Sequence, residues 1–466
     1  MRNAASSLKD AVDFRTFTEL WLYTANARLS LGKIMVKKVA IIGAGPSGLL
    51  LAHYLLRRGD KYQIDIYERR SDPRIVSFSK SRTYPISLNE RGMSALRKIE
   101  GLEEAVKAIS VEMRGTVFHQ KNGKTRFTPR KKPLTTLDRT KLAIALLKFT
   151  ENYDKSRLNI HFNCQCTSID FAAKKVKLQL ETQEDFTIDY DLLIGADGGR
   201  SVVREHFLAT EDFECEQKYV PNDYKSIFLP RPDENSGIYL EKGKIHSWML
   251  KDGTFVVLLH QRDETMGGVI LFLHNKNQIA SLSTTEEVLQ FFQKNFPEVA
   301  QLMPKEEAEA FLNRPISRIL TVRCSRYHQN GSVLVIGDAA HAVSSSIGQG
   351  CNAALEDVVL LDNLLNEYSD DLALVLEQFT VRRKQDGHAL VELGDNAFPS
   401  TTGLFIEFVL RESFANILHQ IFPNRFPPSI SELVFETTVP YSEILNSYKG
   451  WISKVKKSNE KLSANL

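Results

Sequence analysis

Cysteine is scarce and unpatterned in this chain: five residues in 466, at positions 164, 166, 215, 324 and 351, with no CxxC pair among them. Disulfide-stapled secreted scaffolds are therefore excluded; Cys164 and Cys166, two apart on a strand, share a face, where core packing is favoured over a metal or redox pair. A reducing compartment, the cytoplasm, is the expected location, and no metal is expected. Long hydrophobic runs are missing too. No stretch reaches the ~18–20 apolar residues that cross a bilayer, so no membrane span is expected. Charge of neither sign dominates, with 60 Lys and Arg against 57 Asp and Glu and a formal net of +3. That balance speaks against a broad basic surface for nucleic acid and for a small-molecule partner. Glycine and proline, at 25 and 16, are too few for a disordered or collagen-like chain. What remains is an ordinary globular composition, 42% hydrophobic and 25% charged, at a length that suggests two or three domains.

Residues 1–34 carry Arg2, Arg15 and Arg28 but also Asp10, Asp13 and Glu19, which does not suit an acid-poor targeting peptide. They are read as an extension outside the fold, which begins just after Met35. There Val36–Ile42 ends in a β-branched run, Gly43-Ala44-Gly45-Pro46-Ser47-Gly48 follows, and Leu49–Leu56 is apolar over a helical length. A bare GxGxxG is a weak signal. This one has a strand before it, a helix after it, and a second strand, Gln63–Tyr67, that ends in Glu68, 20 residues past Gly48. Gly43 permits the tight turn, Gly45 lets backbone approach a pyrophosphate, and Gly48 lets helix pack on strand. Glu68 sits at the spacing for ribose hydroxyls, and the helix N-terminus faces the phosphates with free N–H groups.

Two later segments repeat the strand-then-glycine pattern. Asp189–Ala196 runs into Asp197-Gly198, and Ser332–Ile336 runs into Gly337-Asp338-Ala339-Ala340-His341. Ile347-Gly348-Gln349-Gly350-Cys351-Asn352 then opens a helix. Three strand ends bearing glycine and acid should converge on one ligand. Asp338 would bond a ribityl hydroxyl, and Gly348, Gly350 and Asn352 would offer backbone at a helix N-terminus. For His341, capping and an active role stand even.

With GAGPSG, the DG pair, GDAAH and GQG in this order, the sequence resembles the single-component FAD-dependent aromatic hydroxylases (group A flavoprotein monooxygenases), and within them the kynurenine-hydroxylating group. The likeness runs from about Val36 to Trp451 and includes Arg82, Leu137-Asp138-Arg139, Tyr219-Val220-Pro221 and a C-terminal Phe422-Pro423 stretch. It implies noncovalent FAD, reduction by NADPH or NADH, and a C4a-hydroperoxyflavin that transfers one oxygen atom of O2 to a small aromatic substrate. It also implies that Arg139 contacts FAD and that the Asp197-Gly198 pair serves both cofactors. The cofactor-binding set is then Gly43, Gly45, Pro46, Ser47, Gly48, Glu68, Arg69, Arg82 and Arg139 from the first half. From the second half come Asp197, Gly198, Asp338, Gly348, Gln349, Gly350, Cys351 and Asn352.

Departures from the family pattern concern the substrate. The family commonly has a proline between GDAAH and GQG, where Ser345 stands here. Kynurenine hydroxylases hold the amino-acid carboxylate with an arginine and a tyrosine, whose aligned positions here are Thr116 and Arg130; Arg114 matches a neighbouring family arginine. Arg114, His246, Trp248 and Ser345 are taken as the substrate-pocket candidates. His246 and Trp248 share a strand face, with pocket lining and sheet packing equally open, and His246 is the candidate general base.

The expected fold is α/β: a discontinuous Rossmann-like FAD-binding domain (36–110, 137–204 and 314–370), an antiparallel β-sheet substrate domain (111–136 and 205–313) and a helical C-terminal region (371–466). The charge clusters at 129–133 and 454–461 are read as solvated loops. The expected function is an FAD-dependent NAD(P)H-consuming monooxygenase. The alternatives are a flavin-dependent epoxidase or tailoring oxygenase of a larger apolar metabolite, and a non-hydroxylating flavin redox sensor. Tryptophans occur only at 21, 248 and 451, so the Trp-x-Trp of a flavin halogenase is missing.

Overall fold

The computed structural model describes residues 36–76, 83–121, 123–180, 184–233, 237–396, 399 and 401–463. The N-terminal segment 1–34 and Arg82 lie outside the described residues. From the start of the described chain, β1 (Lys37–Ile42), α1 (Pro46–Leu56) and β2 (Tyr62–Tyr67) form the first βαβ unit. β3 (Pro85–Leu88) crosses to a second sheet, followed by α2 (Glu90–Arg97) and α3 (Leu102–Ala108). Gly101, with φ of +74°, separates these two. β4 (Val111–His119) and β5 (Thr125–Asp138) form a long hairpin, and α4 (Arg139–Thr150) returns the chain to the first sheet as β6 (Leu158–His161). β7 (Cys164–Asp170), β8 (Lys175–Leu180) and β9 (Phe186–Asp189) make a small antiparallel sheet ahead of β10 (Leu192–Gly195) and α5 (Val202–Phe207).

The second sheet resumes with β11 (Cys215–Pro230), β12 (Ile245–Met249), β13 (Phe255–His260) and β14 (Thr265–Leu273). Helices α6 (Thr285–Asn295), α7 (Pro297–Gln301) and α8 (Lys305–Asn313) come next, and β15 (Ser317–Cys324) closes the sheet. β16 (His328–Gln329) and β17 (Val333–Val335) re-enter the first sheet and lead to α9 (Asp338–His341) and α10 (Gly350–Glu367). The C-terminal helices are α11 (Leu372–Asn396), α12 (Thr402–Ile421), α13 (Ile430–Glu436), α14 (Tyr441–Ser447) and α15 (Lys449–Ser463). No helix among the described residues is long and apolar enough to cross a membrane.

The first sheet is six-stranded, in the order β16-β17-β10-β1-β2-β6. Its pairings are parallel except at the short edge strand β16. Parallel strands place all their C-terminal ends on one edge, so the turns after β1, β10 and β17, which are neighbours, open side by side. Burial on both faces explains the near-continuous apolar strands: Val39–Ile42, Leu192–Ile194 and Val333–Val335 are all buried. All of α1 is buried as well. With no polar face of its own, it is enclosed between this sheet, α4 and α10.

The second sheet is eight-stranded, in the order β15-β11-β14-β13-β12-β4-β5-β3. It is mixed rather than wholly antiparallel as expected, because β12 pairs in parallel with β4. Those strands are distant in sequence and meet through long connections, which frees them from hairpin geometry. The sheet also takes in β3 and β15, which lie in segments assigned from the sequence to the FAD-binding part. Strand alternation divides its faces. Ile227, Leu229, Val256, Leu258, Ile270 and Phe272 pack with Val288, Phe292 and Phe311 of α6 and α8. Met113, Leu134 and Leu259 cluster on the other face with Ile245 and Val257. A buried ion pair pins the helical layer: Arg314 donates to Glu307 at 2.6 and 2.7 Å and to the Ser226 carbonyl, and Glu307 accepts from the Phe228 N–H.

Both charge clusters are largely solvent-exposed, as read, but neither is a loop. Residues 129–133 belong to β5, where Lys131 pairs with Glu432 and Arg130 lies over the Phe435 ring of α13 at 4.7 Å. Lys454 and Lys456 of α15 pair with Glu407 and Glu392. The C-terminal helices run past both clusters and supply the carboxylates, a long-range arrangement that charge spacing along the chain does not reveal.

Candidate cofactor-binding site

The glycine turn after β1 is built on close backbone approach. Gly43 has φ of +105°, and a Cβ on it would lie 2.5 Å from the Ala196 carbonyl at the end of β10. A Cβ on Gly48 would lie 2.3 Å from the Gly43 carbonyl. These two glycines are fixed by the packing of β1, α1 and β10. At Gly45 the space is open, with nothing nearer than 3.9 Å, as an approaching ligand requires. Pro46 is the first residue of α1, where a missing N–H costs nothing. Ser47 is buried, its hydroxyl 3.2 Å from where a Cβ on Gly337 would sit, so the turns after β1 and β17 touch.

Glu68, at the end of β2, accepts from the Ala44 N–H at 2.9 Å and from the Arg70 N–H at 3.0 Å. Its carboxylate thus steadies the turn with lone pairs to spare, while Arg69 beside it is exposed. After β10, Asp197 Oδ2 accepts the N–H groups of Val202 and Val203 at the start of α5. Its Oδ1 is buried without a hydrogen-bond partner among the described residues. Burial raises the Asp197 pKa above the ordinary carboxylate range. Gly198, at φ of +83°, has open space where a Cβ would be.

The turn after β17 brings the sharpest charge arrangement. Asp338 and Arg139 are both half-buried, and Arg139 lies close enough to Asp338, Tyr84, Tyr224 and Cys351 to feel each of them electrostatically. Tyr84, Asp338, Cys351 and Tyr224 all raise the Arg139 pKa, Tyr84 most, against the cost of burial. Burial pushes the Tyr84 hydroxyl and the Cys351 thiol up to about 12. Tyr84 and Tyr224 meet edge to face at 5.9 Å. The two tyrosines were not anticipated, although alternation along β11 puts Tyr224 opposite the helix-facing Ile227 and Leu229. Tyr84 is brought there by β3, whose entry is tied to the sheet by the Ser226 hydroxyl donating to the Thr83 carbonyl at 2.7 Å.

His341 is a structural residue. Its Nε2 lies 2.7 Å from Asp357 Oδ2, which also accepts the Gly337 N–H at 2.7 Å, and Arg383 donates to Asp357 Oδ1 at 2.6 Å. Gln349 and Asn352 also have their side chains engaged within the protein. Gln349 Oε1 accepts from Asn89 and from the Tyr441 hydroxyl, and Asn352 bonds the Asn89 N–H and the Ser87 and Gly348 carbonyls. The N–H groups of Gly350, Cys351 and Asn352, at the first turn of α10, have no intrahelical acceptor. Gly348, at φ of +58°, leaves the approach to them open. Backbone is what this loop offers a ligand.

Three of the four pocket candidates lie elsewhere. His246 and Trp248 do share a face, but it is the face against α7. The His246 and His119 rings approach at 2.9 Å, His119 stacks on Trp248 at 4.3 Å, and Trp248 donates to Glu298. Burial lowers His246 to about 4. The neutral ring is enclosed behind the sheet and is not placed to act as a general base. Alternation correctly paired these residues but could not say which face met the helices. Arg114 is exposed and pairs with Glu112 at 2.7 Å, because an irregularity between Met113 and Gly115 interrupts the ladder there. Ser345 is exposed on the turn between α9 and α10, beside the glycine loop.

These residues fit an adenine dinucleotide flavin. An orphaned carboxylate oxygen and two glycine cradles with open space lie at one sheet edge, with a half-buried aspartate there and an arginine near it. A parallel nucleotide-binding sheet joined to a large second sheet over that edge defines a two-part flavoprotein. Residues 37–392 match the family model described as FAD binding domain, and the chain belongs to that family, the FAD-dependent aromatic hydroxylases (group A flavoprotein monooxygenases). It is 30% identical over 427 residues to kynurenine 3-monooxygenase of Drosophila willistoni, covering 89% of this chain and 90% of that protein. It is 29% identical over 423 residues to the Sus scrofa kynurenine 3-monooxygenase, covering 90% and 87%. Among solved structures, a tetrameric form of 2-methyl-3-hydroxypyridine-5-carboxylic acid oxygenase superposes with a TM-score of 0.65 at 19% identity, over 78% of this chain and 91% of that one. At that identity the match concerns the fold.

Proposed function

We propose that the protein is an NADPH- or NADH-consuming monooxygenase that hydroxylates a small aromatic acid or amine with O2, in the manner of the kynurenine 3-monooxygenases it resembles. The observation that carries this reading is the placement of Arg139 and Asp338 at the mouth of the glycine turns, beneath the second sheet. FAD held there would accept hydride from the nicotinamide and activate O2. The chain's own residues bind and shelter it. The turns at Gly43–Gly48 and Gly348–Asn352 would present N–H groups to phosphate and ring, Asp338 would accept from a ribityl hydroxyl, and Arg139 would offset negative charge. Tyr84 and Tyr224 wall the crevice, and the apolar cluster of Met113, Leu134 and Leu259 keeps water from that face of the sheet. Thr116 stands where the kynurenine hydroxylases have their carboxylate-holding arginine, and the neighbouring Arg114 is exposed and paired with Glu112, so aromatic acids and amines without an α-amino acid group are favoured over kynurenine itself.

The test is substrate-stimulated NADPH oxidation under 18O2 across a panel of aromatic acids and amines, with product analysis by mass spectrometry. One labelled oxygen atom in a hydroxylated product is expected. Stimulated oxidation that releases only hydrogen peroxide with every substrate would overturn the reading.

A further inference from the structure

Cys215 and Cys324 stand 109 residues apart in sequence, and no spacing pattern links them. In the structure they are direct cross-strand partners on β11 and β15, with Sγ atoms 3.7 Å apart. The register around them is informative. The Ser325 N–H donates to the Glu214 carbonyl at 2.8 Å, which makes 214 and 325 the hydrogen-bonded pair and 215 and 324 the non-hydrogen-bonded one. Side chains in such a pair are closest, and the Cα separation of about 4.5 Å falls within the range that accepts a disulfide. β15 is an edge strand of its sheet. Cys215 is half-buried and reachable, while Cys324 is fully buried behind it.

We infer that Cys215 and Cys324 form a peroxide-oxidisable dithiol, reduced at rest and closing to a disulfide between β11 and β15. Cys215 is the attacking sulfur. The Cys324 thiol donates to it and Arg204 lies nearby, both favouring its thiolate. The Cys215 thiolate attacks a peroxide oxygen; an S–O bond forms, the O–O bond breaks, and one water leaves after protonation. Cys324 sulfur then attacks the Cys215 sulfenic acid; the S–S bond forms, the S–O bond breaks, and a second water leaves. Two thiols and one hydrogen peroxide thus give one disulfide and two waters, the two electrons passing from sulfur to peroxide. The other three cysteines are placed differently: Cys164 and Cys166 are buried in the core, and Cys351 lies beside Arg139. The site also touches the cofactor loop. Two residues before Cys324, the Val322 N–H donates to the Ala342 carbonyl just after α9, and the Cys324 carbonyl accepts from His388 of α11. This inference stands independently of the reaction proposed above.

The experiment uses the full-length protein, reduced, freed of reductant and treated with hydrogen peroxide, then alkylated, digested and mapped by mass spectrometry. A 215–324 linked peptide, two hydrogens lighter than the sum of its parts and split by dithiothreitol, is expected. Cys324→Ser should leave a dimedone-trappable sulfenic acid at Cys215, and Cys215→Ser should leave Cys324 fully alkylated. Full alkylation of both thiols after peroxide treatment, a link only between chains, or a sulfinic acid at Cys215 as the main wild-type product would each overturn the inference. The wild-type map decides the matter even if a variant folds poorly.

Discussion

Asp338 and Arg139 matter singly because each is a half-buried charge near the glycine loop: Asp338 Oδ1 is 3.7 Å from where a Cβ on Gly350 would sit, and Arg139 feels both Asp338 and Cys351. Replacing Asp338 with Ala removes a charged hydrogen-bond acceptor without emptying the apolar core. FAD affinity should fall roughly tenfold to a hundredfold, the value of one hydrogen bond to a charged group, with the thermal midpoint of the apoprotein little changed. Titration of apoprotein with FAD checks this, and unchanged affinity would remove Asp338 from the site. His246 makes a different prediction. Its folded-state pKa of about 4 lies below its ordinary 6.5, so the unfolded chain binds the proton more readily. The stability this contributes is fully present above about pH 6.5 and is lost as pH falls toward 4, up to about 3 kcal/mol. Urea unfolding at stepped pH should show that slope, flattened in His246→Gln. At this scale the glycines and acids of the turns were legible because their demands are local. The face of His246 was not, because period-two alternation fixes which side chains agree and leaves open which layer covers them.

Among the elements, α10 and α11 are joined by a buried charge network that no local pattern announces. Arg383 binds Asp357, Glu356 and Asp386 and also donates to the Ala353 carbonyl, while Arg91 reaches Glu356 from α2. Asp357 in turn holds the Gly337 N–H and His341, so the turn after β17 depends on helices beyond it. Arg383→Met leaves buried carboxylates uncompensated and should cost about 3–5 kcal/mol in urea denaturation; a loss under about 1 kcal/mol would contradict this reading. Burial alone would raise the Asp357 pKa, but His341 and Arg383 outweigh it and hold it below the ordinary value. Its contribution is therefore present above about pH 4 and lost at more acid pH. The first βαβ unit was legible from its apolar runs and glycine turn, although β1 is buried on both faces and α1 is buried throughout. The parallel pairing of β12 with β4 was invisible, since it joins strands with no turn between them.

For the whole molecule, the decisive fact is that β17, β10 and β1 are neighbours in a parallel sheet, so motifs nearly 300 residues apart in the chain open on one edge. The order of the motifs could be read from the sequence, and their convergence could be inferred. The roof over them, drawing β3 and β15 into the second sheet, depends on long-range pairing that the sequence does not spell out. Gly43 concentrates this dependence, because a Cβ there meets the Ala196 carbonyl of β10 at 2.5 Å on top of a φ of +105°. Gly43→Ala should abolish FAD retention, with loss of secondary structure by circular dichroism smaller than the loss of flavin; full retention would contradict the close-approach reading.

The central claim is that the three turns hold one FAD. The most direct measurement is the flavin released on denaturing the purified, FAD-reconstituted protein, identified by chromatography and counted per chain. About one FAD per chain, with little FMN, is the outcome this geometry requires. A colourless protein that releases no flavin after reconstitution would contradict it.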